Sequence, residues 1–209
     1  MDIKKIYEKY GIIVFNNTFS NSEIVLIKNE LRQLYEHNMF GPPELTGSAV
    51  DENGINKKTN SALWLDHIYT TYGRSASSIL SILSKNLLSD DIKKMYSKIN
   101  PICSLIKNAN SHSTLISYYE NNDKYDYHSD AAVFTTLSYL YDDKKYFSGG
   151  DIVFKINDEE IFIELENNLS IIFPSTYEHM VTPVKMEDKY KNQMLGRFCL
   201  TQFLGIYLK

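Results

Sequence analysis

The hydrophobic positions of the chain follow two different periods, and the change falls near residue 110. Before that point, apolar residues recur at intervals of three and four, which is typical of amphipathic helices. After it, short runs rich in Ile, Val, Phe, Thr and Tyr are separated by turn signals, which is typical of strands. We predict these strands at residues 111–119, 133–141, 151–156, 160–165, 169–173, 179–184 and 197–207.

The first 109 residues contain recognisable helix starts and one strand. A β-branched and aromatic run at residues 11–15 predicts the strand. Ser20 and Glu23 match a capping box, so a helix is predicted to begin there, and Ser89 is a suitable N-cap for a later helix. Residues 41–60 are polar and predict a loop. We therefore expect residues 1–109 to form a helical support and lid region.

Many short strands at regular spacing indicate a sandwich or barrel, for which the double-sheet jelly roll is a common solution. The predicted fold class is α+β, with a jelly-roll (double-stranded β-helix) core at residues 110–209 and N-terminal helices packed on one sheet. A chain of 209 residues can bury one substantial core but is short for two. A single domain spanning residues 1–209 is expected.

Composition narrows the setting in which the protein works. No apolar run approaches the roughly 18 residues that cross a bilayer, and the N-terminus lacks the pattern of a secretory signal. Cys103 and Cys199 are too few for a disulfide framework. We therefore expect a soluble, cytoplasmic protein without a membrane partner. A net charge of −4 argues against a nucleic-acid partner.

The candidate chemistry begins with His128 and Asp130, which lie two residues apart in a β-rich context. Side chains two apart on a strand point the same way, so this pair could hold one ion. His179 offers a third ligand, and two histidines with one carboxylate form the facial triad that suits non-haem Fe(II). Arg197, near the last strand, could grip a carboxylate with its guanidinium.

The order of motifs in the C-terminal half resembles the Fe(II)- and 2-oxoglutarate-dependent dioxygenases, particularly their prolyl 4-hydroxylase-like branch. The matching segments are Ser-Tyr-Tyr at 117–119, His-Ser-Asp at 128–130, Thr-Thr-Leu-Ser-Tyr-Leu at 135–140, Phe-Ser-Gly-Gly-Asp-Ile-Val-Phe at 147–154, Ile-Ile-Phe-Pro-Ser at 171–175, His179, Thr-Pro-Val at 182–184 and Gly-Arg at 196–197. The resemblance is close over roughly residues 110–207 and loose before them.

This resemblance implies an enzyme, its cofactors and the residues that hold them. His128, Asp130 and His179 would bind Fe(II), and Arg197 would pair with the distal carboxylate of 2-oxoglutarate. Tyr139 and Tyr119 match positions at which the family often has a tyrosine whose hydroxyl joins the hydrogen bonds to that carboxylate. Dioxygen is the co-reactant, and ascorbate is a candidate stimulant.

The implied reaction is hydroxylation of an unactivated C–H bond, with release of succinate and CO2. The substrate would be a peptide or protein residue such as proline, or a small amino-acid-like metabolite. Asp130 favours hydroxylation over halogenation because a third protein ligand leaves no vacancy for chloride. Desaturation and cyclisation are alternatives within the same chemistry.

Two further assignments concern an insertion and the substrate. The gap between His179 and Arg197 is longer than usual for this branch, with the excess at residues 186–194. Lys185 and Lys191 are therefore alternatives to Arg197 as the anchor. Loops on a rigid scaffold commonly supply specificity. Candidate substrate contacts are Trp64, Tyr69, Tyr72, Arg74 and Tyr127.

Two other classes of function remain as alternatives. A cupin-type metal-dependent enzyme that does not use 2-oxoglutarate would share the shell, but it would more often have a histidine-richer metal set and would not need Arg197. A catalytically silent jelly-roll binding module would keep the barrel and lose a ligand.

Overall fold

The computed structural model describes residues 1–142 and 144–207 of the chain. The helices within them are α1 (Asn21–Glu36), α2 (Leu65–Ile68), α3 (Ser78–Leu87) and α4 (Asp90–Tyr96). The strands are β1 (Asp2–Tyr7), β2 (Ile12–Asn16), β3 (Ser61–Trp64), β4 (Ser111–Tyr119), β5 (Tyr125–His128), β6 (Phe134–Leu140), β7 (Phe147–Ser148), β8 (Ile152–Ile156), β9 (Glu159–Ile163), β10 (Leu169–Pro174), β11 (Glu178–Val181), β12 (Lys185–Met186) and β13 (Arg197–Gly205).

The strands form one large and one small antiparallel sheet, which face each other across an apolar core. The large sheet has the order β1-β2-β10-β6-β13-β4-β3, and the small sheet has the order β5-β11-β8-β9. Strands β7 and β12 pair separately. The prediction of an α+β fold with a jelly-roll core is confirmed.

The central strands of the large sheet are buried on both faces, and their successive side chains point alternately to one face and the other. In β2, Ile12 and Val14 pack between the sheets. Their neighbours Ile13 and Phe15 pack on the outer face among residues of α4. All seven residues of β6 are buried for the same reason. The predicted packing of the N-terminal helices on one sheet is therefore observed.

The helix starts lie where the capping residues predicted them. Ser20 accepts the backbone N–H of Glu23, and the Glu23 side chain returns a contact to the Ser20 backbone, so α1 opens with a complete capping box. The Ser89 hydroxyl accepts the backbone N–H of Ile92 and so caps α4. Such a cap contributes about 1 kcal/mol. The apolar face of α1, with Ile27 and Leu31, is then buried beside α3.

Two strands of the N-terminal half lack a pattern from which the sequence could predict them. Strand β1 is almost wholly exposed and carries two lysines, and it is defined by backbone pairing to β2 rather than by burial. Charged, exposed residues are usual on an edge strand. Strand β3 has only four residues and pairs with β4 at the other edge. The N-terminal half is thus partly sheet.

Among the described residues, no helix is long and apolar enough to cross a membrane.

Candidate metal and cosubstrate site

His128, Asp130 and His179 come together at one end of the space between the sheets. His128 is the last residue of β5, and the antiparallel pairing of β5 with β11 puts His179 directly opposite it. Asp130 lies beyond the end of β5, where its backbone N–H donates to the carbonyl of Ser175 at 3.0 Å. One possible ligand atom from each of the three side chains lies within 4.8 Å of the others.

The route by which Asp130 reaches this point differs from the sequence argument. Strand alternation predicted that His128 and Asp130 share a face, but the strand stops at His128. A turn that is tied to the loop after β10 carries Asp130 to the same side instead. The two side chains end close together even though the strand prediction for Asp130 was wrong.

Each histidine is oriented by a hydrogen bond on its Nδ1 atom. The Nδ1 of His128 lies 2.9 Å from the backbone carbonyl of Asp126, and the Nδ1 of His179 lies 2.9 Å from that of Tyr177. Because a carbonyl oxygen can only accept, Nδ1 carries the proton in both rings. The free Nε2 atoms face Asp130, each 3.7 Å from one of its carboxylate oxygens. This tautomer is the one that metal-binding histidines adopt.

The surroundings fix the carboxylate and keep the first histidine neutral. The Thr135 hydroxyl donates to Oδ2 of Asp130 at 2.6 Å. The Tyr125 ring stacks on His128, with 3.4 Å between ring centroids. Burial, followed by the charge of His179, lowers the pKa of His128 to about 3. His128 is therefore neutral near pH 7, as a metal ligand must be.

A cationic group lies in the same space. Arg197 begins β13 directly opposite Tyr119 on β4, and its side chain is completely buried. Its guanidinium carbon is 4.2 Å from the ring centroid of Tyr119 and 4.9 Å from that of Tyr139. Nη1 donates to the carbonyl of Gly150. No hydrogen-bond partner is found for Nε and Nη2 of Arg197 or for the Tyr139 hydroxyl among the residues that the structure describes.

These unpartnered donors fit a dicarboxylate ligand. Leaving buried donors unpaired is costly, so their arrangement is stabilised when a ligand supplies acceptors. Burial raises the pKa of Tyr139 and of Tyr119, so both hydroxyls stay protonated and can donate. An arginine fork binds a carboxylate through two parallel hydrogen bonds. The residues at this end therefore suit the far carboxylate of a cosubstrate that also reaches the metal site.

The Gly149 and Gly150 turn has a steric reason. Both residues have positive φ, +70° and +75°, which side-chain-bearing residues rarely adopt. A Cβ on Gly149 would lie 2.2 Å from the carbonyl oxygen of Pro183, and one on Gly150 would lie 3.0 Å from Cδ of Arg197. The turn thus lets the backbone approach the guanidinium closely enough to accept its hydrogen bond.

The two ends line one cavity between the sheets, which we call the inner cavity; its wall includes His128, Asp130, His179, Tyr139 and Arg197. A second cavity, which we call the mouth, shares Leu115, Tyr125, Asp130 and Phe203 with it. The mouth is otherwise lined by residues 46–49, Lys58, Trp64, Ser113, Ser129 and Ala131.

The other residues predicted for the site take varied positions. Trp64 lines the mouth. Arg74 pairs with Asp66 and approaches Thr114, away from both cavities. The Tyr127 hydroxyl donates to Glu160, and that of Tyr69 donates to Glu30, while Tyr72 is exposed. Lys185 is exposed, and Lys191 pairs with Asp188 at 2.8 Å. Of the three candidate anchors, only Arg197 reaches the inner cavity.

Sequence reasoning missed Thr135, Tyr125 and Lys58 as site residues. Thr135 belongs to a segment that the motifs already marked, and Tyr125 lies three residues before His128, so both positions could have suggested a supporting role. Lys58 lies in a polar loop without periodic pattern, and no signal in the sequence distinguishes it from its neighbour Lys57.

The inner cavity of this jelly roll holds two histidines, one carboxylate and a buried arginine. Two histidines and one carboxylate form the facial triad that is typical of non-haem Fe(II) oxygenases. Comparison with family models agrees, since residues 114–205 match the model described as "2OG-Fe(II) oxygenase superfamily". This part of the chain therefore has the sequence pattern of that superfamily, whose members use Fe(II), 2-oxoglutarate and dioxygen. A search of curated proteins found no match.

Solved structures with the same fold include several hydroxylases. A prolyl-4-hydroxylase from Pseudomonas putida is similar with a TM-score of 0.67 and 17% identity, over 94% of this chain and 93% of that one. A prolyl hydroxylase from Trichoplax adhaerens, in complex with a hypoxia inducible factor peptide fragment, gives 0.66 and 14%, over 94% and 84%. A 2OG-Fe(II) oxygenase family oxidoreductase from Burkholderia pseudomallei gives 0.57 and 13%, over 93% and 85%. At these identities the likeness establishes the fold.

Proposed function

We propose that the protein is an Fe(II)- and 2-oxoglutarate-dependent dioxygenase that hydroxylates a residue of a peptide or protein. In this proposal His128, Asp130 and His179 hold the iron, and Arg197, with Tyr139 and Tyr119, holds the distal carboxylate of 2-oxoglutarate. The observation that carries it is the set of unpaired donors on Arg197 and Tyr139, which faces the same inner cavity as the triad.

When bound, iron and 2-oxoglutarate together activate dioxygen for oxidation of a C–H bond, with release of succinate and CO2. The chain supplies binding, orientation and exclusion of water. The neutral imidazoles donate lone pairs from Nε2, and the Asp130 carboxylate offsets part of the metal charge. At the other end Arg197 neutralises a carboxylate in a site from which water is excluded, where such a pair is strong. Asp130 completes three protein ligands, which supports hydroxylation over halogenation.

A peptide substrate is supported by the shape of the surface beside the mouth. A shallow apolar groove that is lined by Met39, Leu45 and Ile68 shares Thr46 and Trp64 with the mouth. An extended chain could lie in this groove while one of its residues enters the mouth. The peptide bound to the hydroxylase from Trichoplax adhaerens supports the same choice over a free amino-acid-like metabolite.

The mouth also supports a single catalytic domain for the chain. Its wall combines residues 46–64 of the N-terminal half with Tyr125 and Asp130 of the C-terminal half. We therefore propose that the N-terminal half supplies part of the substrate site as well as support for the sheet.

Turnover of 2-oxoglutarate tests the proposal. Purified protein with Fe(II), 2-oxoglutarate and a synthetic peptide pool, with and without ascorbate, is followed by succinate release and by a mass gain of one oxygen on a peptide. We expect both signals and their loss on chelation of the metal. Absence of succinate together with absence of 2-oxoglutarate binding by calorimetry would contradict the proposal and favour a cupin-type enzyme or a silent binding module.

A further inference from the structure

A lysine is buried in the wall of the mouth. Lys58 is only 3% exposed, and its ammonium donates to the Thr46 hydroxyl at 2.7 Å. An ammonium carries three N–H donors. Thr46 is its one hydrogen-bond partner in the part of the chain that the structure describes, so the remaining donors are free to meet a ligand that enters the mouth.

The charge of this lysine is poorly compensated by the protein. Burial lowers the pKa of Lys58 to about 8, and the nearby charge of Glu44 offsets the burial only in part. A buried cation without a carboxylate partner is destabilising. The buried ammonium of Lys58 destabilises the free protein, yet it lines a binding cavity. A ligand that brings an anion into this cavity would supply the missing partner.

Lys58 is held near the proposed iron site through Tyr125. An isolated β-bridge pairs Lys58 with Tyr125, and the ammonium nitrogen lies 6.0 Å from the centroid of the tyrosine ring. The Tyr125 ring in turn stacks on the His128 ring, with 3.4 Å between the two centroids. Taken together these distances span less than about three residues of extended chain. An anion bound at Lys58 therefore belongs to the oxidised residue or to a near neighbour.

We propose that Lys58 determines specificity by binding a carboxylate of the substrate within about three residues of the oxidised position. The carboxylate is that of an Asp or Glu side chain or of the peptide's own C-terminus. The inference rests on the proposed function, because it assigns a substrate feature to that same site.

The neighbouring lysine provides a matched control. Lys57 is half-buried, and its ammonium donates to the backbone carbonyl of Tyr127 at 2.7 Å instead of facing the mouth. Lys57→Met removes the same charge one residue away and should leave peptide choice unchanged. Lys58→Met removes the charge from the mouth at similar side-chain volume, and Lys58→Arg keeps a cation there.

The experiment is selection of peptides by the holoenzyme. Immobilised protein with Fe(II) and 2-oxoglutarate, kept without oxygen to prevent turnover, captures peptides from synthetic heptapeptide pools that are sequenced by mass spectrometry. One pool is C-terminally amidated and contains Asp and Glu. A second has free C-termini and no acidic side chains. The two pools separate a side-chain carboxylate from a terminal one.

For the wild-type protein and for Lys58→Arg and Lys57→Met, we expect carboxylate-bearing peptides to be enriched by about tenfold or more in one pool, as for a charge-assisted pair. Lys58→Met should lose that enrichment, and its melting temperature should be unchanged or higher because an incompletely paired buried cation is gone. Equal capture by wild type and Lys58→Met, or loss of enrichment in Lys57→Met as well, would overturn the proposal.

One measurement needs no variant and therefore does not depend on the folding of Lys58→Met. Methyl esterification neutralises every carboxylate of the pools, and wild-type capture should then fall about tenfold. Unchanged capture of the esterified pools refutes the role of Lys58. The same preparation is assayed for 2-oxoglutarate binding and succinate release. Failure of those assays counts against the proposed function. If they succeed but free and esterified peptides are captured equally, the result counts only against the role of Lys58.

Discussion

The inner cavity and the mouth share Leu115, Tyr125, Asp130 and Phe203 but are built in different ways. The inner cavity is walled by paired strands, and its imidazole side chains are oriented by backbone contacts, namely the carbonyls that accept hydrogen bonds from His128 and His179. The mouth is walled largely by the loop at residues 46–49, by Lys58 and by Trp64 at the edge of the large sheet. Under the proposed function, the chemistry is fixed by the sheets and the choice of substrate by the loops.

This division predicts two separable classes of variant. A substitution in the inner cavity should abolish or weaken the reaction with any substrate, including slow turnover of 2-oxoglutarate alone. A substitution in the mouth should spare iron and 2-oxoglutarate and alter only the response to the substrate.

Removal of a metal ligand is the most severe change. His179→Ala or Asp130→Ala should lower 2-oxoglutarate turnover by at least about 100-fold. Loss of a residue that only hydrogen-bonds to a metal ligand already lowers metal affinity or activity by about 10–100-fold. Bound iron, measured by elemental analysis, should fall in parallel while circular dichroism stays native. Glu178→Gln, an exposed neighbour on the same strand, is the control and should behave as wild type. A fully active His179→Ala protein would remove that residue from the metal site.

Removal of the Arg197 guanidinium should act on cosubstrate binding alone. Arg197→Met keeps most of the volume but deletes a charge-assisted pair, so the Kd for 2-oxoglutarate should rise by about 10–100-fold. Iron content should be unchanged. The control is Lys191→Met, because Lys191 is paired with Asp188 at the surface. If Lys191→Met weakens binding and Arg197→Met does not, the insertion at residues 186–194 has taken over the anchor.

Removal of one hydroxyl should give the smallest effect. Tyr139→Phe should raise the Kd for 2-oxoglutarate by about 2–10-fold, the equivalent of one neutral hydrogen bond. Thermal stability of the ligand-free protein should not fall, since this hydroxyl has no partner in the described chain. Tyr96→Phe is the counterpart, because its buried hydroxyl donates to the carbonyl of Gly11 at 2.7 Å. It should lose about 1 kcal/mol of stability and keep its cosubstrate affinity.

The same division explains what could be predicted from the sequence. His128 and His179 were predicted as metal ligands because they fall at strand ends within an ordered series of motifs, and the pairing of β5 with β11 puts the two residues opposite each other. Arg197 remained a prediction with two alternatives, and only the three-dimensional path of the insertion distinguishes its position from those of Lys185 and Lys191.

Lys58 and β1 were missed for physical reasons. Periodicity records burial of an apolar face, and neither feature has one. Lys58 is buried by a loop that folds over it, held by contacts such as the hydrogen bond from the Ala49 backbone to the Tyr125 hydroxyl at 3.1 Å. Strand β1 exists through backbone pairing at an edge. Contacts between distant segments determine both, so the local sequence cannot reveal them.

The position of Trp64 gives the protein a built-in optical probe. It is the only tryptophan of the chain, and it lines the mouth with its ring centroid 5.7 Å from that of Phe203 and 6.1 Å from that of His67. Indole emission responds to the polarity and to the quenching groups around the ring. Tryptophan emission, excited at wavelengths that tyrosine does not absorb, therefore comes from a single known place, and a titration can follow occupation of the mouth without any label.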